Sequence, residues 1–128
     1  MFSLAEQQIF ERAKRPLYSA TETAGAVREQ AINTSCGDEI ELFFRMSIDK
    51  VLDVTHKSRG CAVSTASADL LCELLMGRLL SEAAIEPADL IEAIAIPLSP
   101  ARLKCALLPL EALKKGLSSL QRESEARG

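Results

Sequence analysis

The spacing of apolar residues changes at residue 62 from a strand's period to a helix's, and that change limits the folds open to this chain. Over 39–46, EIELFFRM, Ile40, Leu42, Phe44 and Met46 share one face, with Glu39, Glu41 and Arg45 mostly on the other. A period of two marks a half-buried strand. Residues 50–57 repeat it, with Leu52, Val54 and His56 against Asp53, Thr55 and Lys57. The short SIDK segment between them suits a hairpin, although it lacks an Asn-Gly signal. Residues 26–32, AVREQAI, predict an edge strand, and Asn33 to Asp38 reads as a turn by composition. From residue 62 the period is helical: Val63, Ala66, Leu70 and Leu74 recur, Leu71 and Leu75 widen the stripe, and Asp69 and Glu73 lie opposite. This helix should end near Met76, at Gly77. Ser81 is placed to cap a further short helix, and Pro87 to open another through ADLIEAI. Beyond Pro97 and Pro100, ARLKCALL begins helically. Pro109 restarts or kinks that helix, and Leu110, Leu113, Leu117 and Leu120 form a last apolar stripe. A first amphipathic helix, over 3–14, ends before Pro16. Strands first and helices after predict an α+β fold, a small antiparallel sheet of two to three strands covered on one face by α-helices.

A chain of 128 residues has room for one core, so a single domain over 1–128 is expected, with 1–5 and 121–128 frayed. Fifteen basic and eighteen acidic residues give a net charge of −3, and there are only four Phe, one Tyr and no Trp. That balance does not favour nucleic-acid phosphates, and no aromatic cluster is present to stack bases. The apolar runs are too short for a membrane span. Residues 1–15, MFSLAEQQIFERAKR, are too charged for an export signal. A cytoplasmic protein with neither nucleic-acid nor membrane partners is expected.

The four cysteines, Cys36, Cys61, Cys72 and Cys105, are then expected as reduced thiols, with metal binding or redox work set against a role as small buried hydrophobes. Cys72 falls in mid-helix, at the edge of the apolar arc, and reads as packing. The other three sit at element ends: Cys36 in a turn before a strand, Cys61 between Gly60 and a helix start, Cys105 in an early helical turn. Side chains at such ends can converge on one rim. At a helix N-terminus the dipole and nearby amides favour a thiolate at Cys61, and Ser64 and Ser67 keep that end polar. Gly37 and Gly60 allow backbone to come close to a bulky group. Asp38, two residues after Cys36, completes a set of three thiolates and one carboxylate. Such a set suits tetrahedral zinc or an iron–sulfur cluster with one non-cysteine ligand. The spacings of 25 and 44 residues match no CxxC ribbon.

Three stretches carry a family resemblance. NTSCGD (33–38) resembles the Asn-Pro-x-Cys-Gly-Asp of the U-type iron–sulfur cluster assembly scaffolds (IscU, SufU and the N-terminal part of NifU), with Thr34 in place of proline. RGCAVSTASADLL resembles their Gly-Cys-Ala-Ile-Ser-x-Ala-Ser stretch, and SPARLKCALLPLEAL their third-cysteine segment. The resemblance covers roughly residues 6–118. It implies that Cys36, Cys61 and Cys105 are the cluster or zinc thiolates and that Asp38 is the acidic partner that ligates or labilises the site. Lys104 stands where IscU-type members carry histidine, as in SufU-type members. The insert usual in SufU-type members between the second and third cysteines has no room here. The Leu-Pro-Pro-Val-Lys chaperone motif is replaced by Leu98-Ser99-Pro100-Ala101-Arg102, which argues against recognition by an Hsp70-type chaperone.

The implied function is that of a scaffold, not an enzyme. It would take sulfur from a cysteine desulfurase, with Cys61 or Cys105 as persulfide acceptor, and build a labile 2Fe–2S cluster for acceptor or carrier proteins. The alternative is a zinc-dependent sulfur acceptor of SufU type, which Lys104 favours. Lys104 itself reads either as a solvated helix charge or as an ammonium that favours the thiolate of Cys105 and pairs with Asp38 when metal is absent. A third class is a purely structural zinc domain. Assembly as a homodimer or trimer is open to such a chain. The single histidine, His56, is expected at the surface or half-buried on its strand, close to the Cys61 rim.

Overall fold

Strands β1 (Val27–Asn33), β2 (Asp38–Ser47) and β3 (Lys50–Arg59) form one antiparallel sheet in the order β1-β2-β3. Helices α2 (Ala62–Leu75) and α4 (Pro100–Arg127) lie across it. Helix α1 (Leu4–Lys14) packs on α2, and the short α3 (Pro87–Ile94) packs between α2 and α4. The computed structural model describes residues 3–20, 27–34 and 37–127, with side chains as far as Leu120. The expected α+β arrangement is the observed one.

The alternating stretch of β2 delivers Ile40, Leu42 and Phe44 to the core. In β3 the alternation breaks. Arg45 pairs with Asp53 and Met46 with Val51, a bulge that leaves Leu52 without a partner on β2. An extra residue in one strand shifts its side chains by one position. Val51 and Val54 are therefore both buried although three apart, and Leu52, expected inward, is 53% exposed. The hairpin loop is Ile48-Asp49. Tight hairpin turns call for a positive φ, which Asn or Gly would supply cheaply. Here Ile48 takes it, with φ +57° and full exposure, 100%.

A capping box starts α1: Ser3 Oγ accepts from Glu6 N–H and Glu6 Oε1 accepts from Ser3 N–H, which satisfies two otherwise orphaned donors. The chain leaves α1 at Arg15, before Pro16, as expected. Helix α2 ends at Met76 with Gly77 at φ +78°. Ser81 caps nothing: it lies inside a single 3-10 turn, Leu80–Glu82, which has no side-chain cap. Pro87 opens α3. Helix α4 runs on through Pro109 and through the backbone of the segment expected to fray. Its Gly116 admits the ring of Phe44, since a Cβ there would stand 2.6 Å from Phe44 Cε2.

One buried polar cluster ties these elements together. Asp69, read from periodicity as lying opposite the apolar stripe, is 0% exposed. Its Oδ2 accepts from Arg12 Nε at 2.6 Å and from the Leu17 amide at 3.0 Å. Its Oδ1 accepts from the Tyr18 amide at 2.8 Å and from His56 Nε2 at 2.9 Å. His56, expected at the surface or half-buried, is 1% exposed. Its Nδ1 stands 2.7 Å from Ser58 Oγ, a hydroxyl able to donate to a neutral ring or accept from a charged one. Residues 18–20 run along β3, with Ala20 N–H donating to His56 C=O and His56 N–H to Tyr18 C=O. Burial by itself raises the Asp69 pKa. Hydrogen bonds from His56, Arg12 and the Leu17 and Tyr18 amides outweigh it and bring the carboxyl down from 3.8 to about 2. The carboxylate thus holds α1, the 17–20 segment and β3 to α2, the helix that begins at Cys61.

Candidate metal centre

Asp38 opens β2, paired with Asn33 of β1. It is thus a strand residue rather than part of the expected turn, and its side chain is 2% exposed. At the far end of β3 the chain turns through Gly60, φ +144°. A Cβ on that glycine would lie 2.0 Å from Asp38 Oδ1, so no other residue fits beneath the carboxylate. That approach lets the Cys61 amide donate to Asp38 Oδ1 at 3.0 Å and sets Cys61 Sγ 3.5 Å from Oδ2.

Cys61 is the N-cap of α2, and its Sγ accepts from the Ser64 amide at 3.4 Å. An N-cap normally uses oxygen for this bond; here sulfur takes its place beside the positive end of the helix dipole. Ser64 Oγ donates to the Cys61 carbonyl at 3.0 Å and lies 3.6 Å from Sγ. Ser64 and Ser67, expected only to keep the helix end polar, are both fully buried, turned into the molecule. The third donor comes from α4. Ser99 Oγ accepts from the Arg102 amide at 3.3 Å and its carbonyl from the Leu103 amide, and one turn later Cys105 is buried.

The donor atoms of Asp38, Cys61 and Cys105 all lie within 4.8 Å of one another. They sit at the base of an open cleft of about 650 Å³, whose walls carry Asn33, Pro100, Arg102 and Lys104. Zinc bonded to sulfur at ~2.3 Å and to oxygen at ~2.0–2.2 Å needs donors roughly 3.5–3.8 Å apart. Cys61 and Asp38 already stand at that separation. The set is two soft sulfurs and one hard oxygen, donor types that zinc accepts together.

Of the expected site residues, the fold brings Asp38, Cys61 and Cys105 together and puts Lys104 on the exposed cleft wall. Cys36 lies outside the described residues. Cys72 is fully buried in the core, as expected, and burial raises its thiol pKa. His56 turns to Asp69 and Ser58 rather than to the cleft. Two roles escaped the sequence reading: Ser64 as the direct partner of Cys61, and Arg102 as part of the cleft wall; their spacing of three from Cys61 and Cys105 is the signal that could have found them.

Comparison with known proteins returns one family. The family described as NifU-like N terminal domain matches residues 5–126. The iron–sulfur cluster assembly scaffold protein IscU of Thermotoga maritima is 32% identical over 113 residues, covering 75% of this chain and 80% of the relative. The zinc-dependent sulfurtransferase SufU of Bacillus subtilis is 29% identical over 104 residues, covering 67% of this chain and 71% of the relative. Among solved structures, an iron–sulfur cluster assembly scaffold protein assigned to the SUF system of Fervidobacterium islandicum superposes with a TM-score of 0.73 at 29% identity. That match covers 91% of this chain and 96% of the other.

Proposed function

This chain belongs to the family of NifU-like N-terminal domains, and from that premise we propose that it is a scaffold on which iron–sulfur clusters are assembled from sulfur supplied by a cysteine desulfurase. The observation that carries the reading is the convergence of Asp38, Cys61 and Cys105 within 4.8 Å at the base of an open cleft. A structural metal site needs no such opening, whereas cargo must enter and leave.

Cys61, Cys105 and Asp38 hold the iron of the cargo, with Cys36 as the remaining thiolate by family resemblance. Sulfur arrives as a persulfide on the donor. A thiolate of this chain, Cys61 or Cys105, attacks the outer sulfur. The donor S–S bond breaks, the donor thiolate leaves with the electron pair, and a new S–S bond carries the sulfur here, with no net oxidation. Reduction of that sulfur to sulfide draws on ferrous iron and an external dithiol. Cys61 is the better placed acceptor, because the Ser64 amide already supports charge on its sulfur. Asp38 gives a hard oxygen to an otherwise soft site, which keeps the cargo exchangeable. The recipients are iron–sulfur acceptor or carrier proteins, and the compartment is the cytoplasm. No described helix is long and apolar enough to cross a membrane.

A second reading has its own support: the donor set fits zinc, and the SufU relative is named a zinc-dependent sulfurtransferase. In that case zinc holds the same residues until the desulfurase displaces it from one thiolate. An anaerobic mixture of desulfurase, cysteine, ferrous iron, dithiothreitol and this protein separates the two. The scaffold gives visible absorbance and Mössbauer spectra of a 2Fe–2S cluster that depends on Cys61 and Cys105. Faster desulfurase turnover with zinc retained and no cluster overturns it in favour of the sulfur acceptor. With an active desulfurase and neither result, only a structural zinc domain is left.

A further inference from the structure

The two described thiols of the site sit on different helices, so something must fix how far apart those helices stand. Ser67 is fully buried in the second turn of α2, and its Oγ donates to the carbonyl of Ala106 in α4 at 2.5 Å. A serine inside a helix ordinarily turns its hydroxyl back to a carbonyl of its own preceding turn. This one reaches across to the residue next to Cys105. The α4 backbone is prepared for it. Pro109 has no N–H to give to the Cys105 carbonyl, and its ring crowds that same carbonyl. A proline inside a helix commonly opens its preceding turn on one side, which lets the carbonyls of that turn, Ala106 among them, tip toward a neighbouring donor.

We infer that Ser67 and Pro109 act together as a clasp that sets the spacing of Cys61 and Cys105, with Ser67 a positioning residue that touches neither metal nor cluster. The clasp is relevant to function only if the cleft is the assembly site proposed above, but its geometry can be tested without that premise. The first readout is metal-free. The full chain is oxidised with diamide, and the Cys61–Cys105 disulfide is quantified against time by peptide mass spectrometry. The second is a cobalt(II) titration that follows the thiolate-to-metal charge-transfer band.

Ser67→Ala should slow disulfide formation and weaken cobalt binding, each by up to about tenfold, the scale of one lost buried hydrogen bond. Ser67→Thr, which keeps the hydroxyl, should stay within about twofold. Pro109→Ala, which returns an N–H to the turn, should slow the disulfide as Ser67→Ala does, and serves if Ser67→Ala does not fold. Leu75→Val, a core truncation away from the clasp, controls for lost stability. Disulfide rates at parental level in both Ser67→Ala and Pro109→Ala, or an equal slowing in Leu75→Val, overturn the clasp. Failure of the parent to bind cobalt, with the disulfide rates behaving as expected, would instead count against the assembly site while leaving the clasp in place.

Discussion

Replacing Asp69 by Asn tests the buried carboxylate that joins four parts of the fold. Asp69 accepts four hydrogen bonds, from Arg12, Leu17, Tyr18 and His56, and is 0% exposed. An amide has one acceptor oxygen and turns two N–H groups toward donors. It cannot serve Arg12, two backbone amides and His56 at once. Breaking a buried, hydrogen-bonded ion pair by removing one partner costs about 3–5 kcal/mol, a large share of the roughly 5–15 kcal/mol that holds a domain folded. The pKa gives an independent figure. A carboxyl lowered from 3.8 to about 2 on folding contributes about 2.5 kcal/mol through its charge. Because the folded value is the lower one, that contribution is present in full above about pH 4 and is lost as pH falls toward 2. The measurement is urea unfolding followed by far-UV circular dichroism, for parent and Asp69→Asn, at several pH values from 7 to 2. The gap between them should be about 3–5 kcal/mol at neutral pH and should shrink by about 2 kcal/mol by pH 2. A gap below about 1 kcal/mol at pH 7, or one that does not change with pH, would refute the assignment of Asp69 as an ionised hub.

Gly60→Ala should abolish cobalt or zinc binding in a titration, because its Cβ would enter the Asp38 carboxylate; a parental affinity would show that the close approach is dispensable. Cys72→Ala should keep the parental metal content by elemental analysis, and Cys72 in the folded parent should resist iodoacetamide, since burial raises its thiol pKa. Ile48→Asn should stabilise the protein to urea by about 1 kcal/mol, because a β-branched residue at positive φ is replaced by one that tolerates it; destabilisation would refute the strain. Asp38→Ala should give a cluster that survives longer in air by visible absorbance, and faster decay would reject a labilising role for the carboxylate.

The site was more legible in the sequence than its supports. Cys61 announces itself by lying at a helix start, where backbone donors and the dipole act on sulfur, Cys105 by its early helical turn beyond a proline break, and Asp38 by its place beside glycine in a known motif. Strand and helix stretches were legible wherever the period was clean. Leu52 was misread because a bulge is a property of the pairing between two strands, and the alternation of one strand carries no trace of it. Asp69 and His56 were misread for a related reason. A buried carboxylate is intelligible only with its partners, and Arg12 lies 57 residues away from it. Helical periodicity could place Asp69 on an arc but could not show that α1 covers that arc. Ser81 had the chemistry of a cap, yet the turn around it is too short to need one.

The placement of Tyr18 has an optical consequence. The chain has one tyrosine and no tryptophan, so its intrinsic fluorescence comes from a single ring. That ring is partly buried against the core, on the residue whose amide is held by Asp69 at 2.8 Å. Any event that frees the 17–20 segment from β3 must move the only emitter in the molecule into water. Tyrosine emission and its anisotropy therefore follow that one junction in real time, without a label, while sulfur or metal is delivered at the cleft.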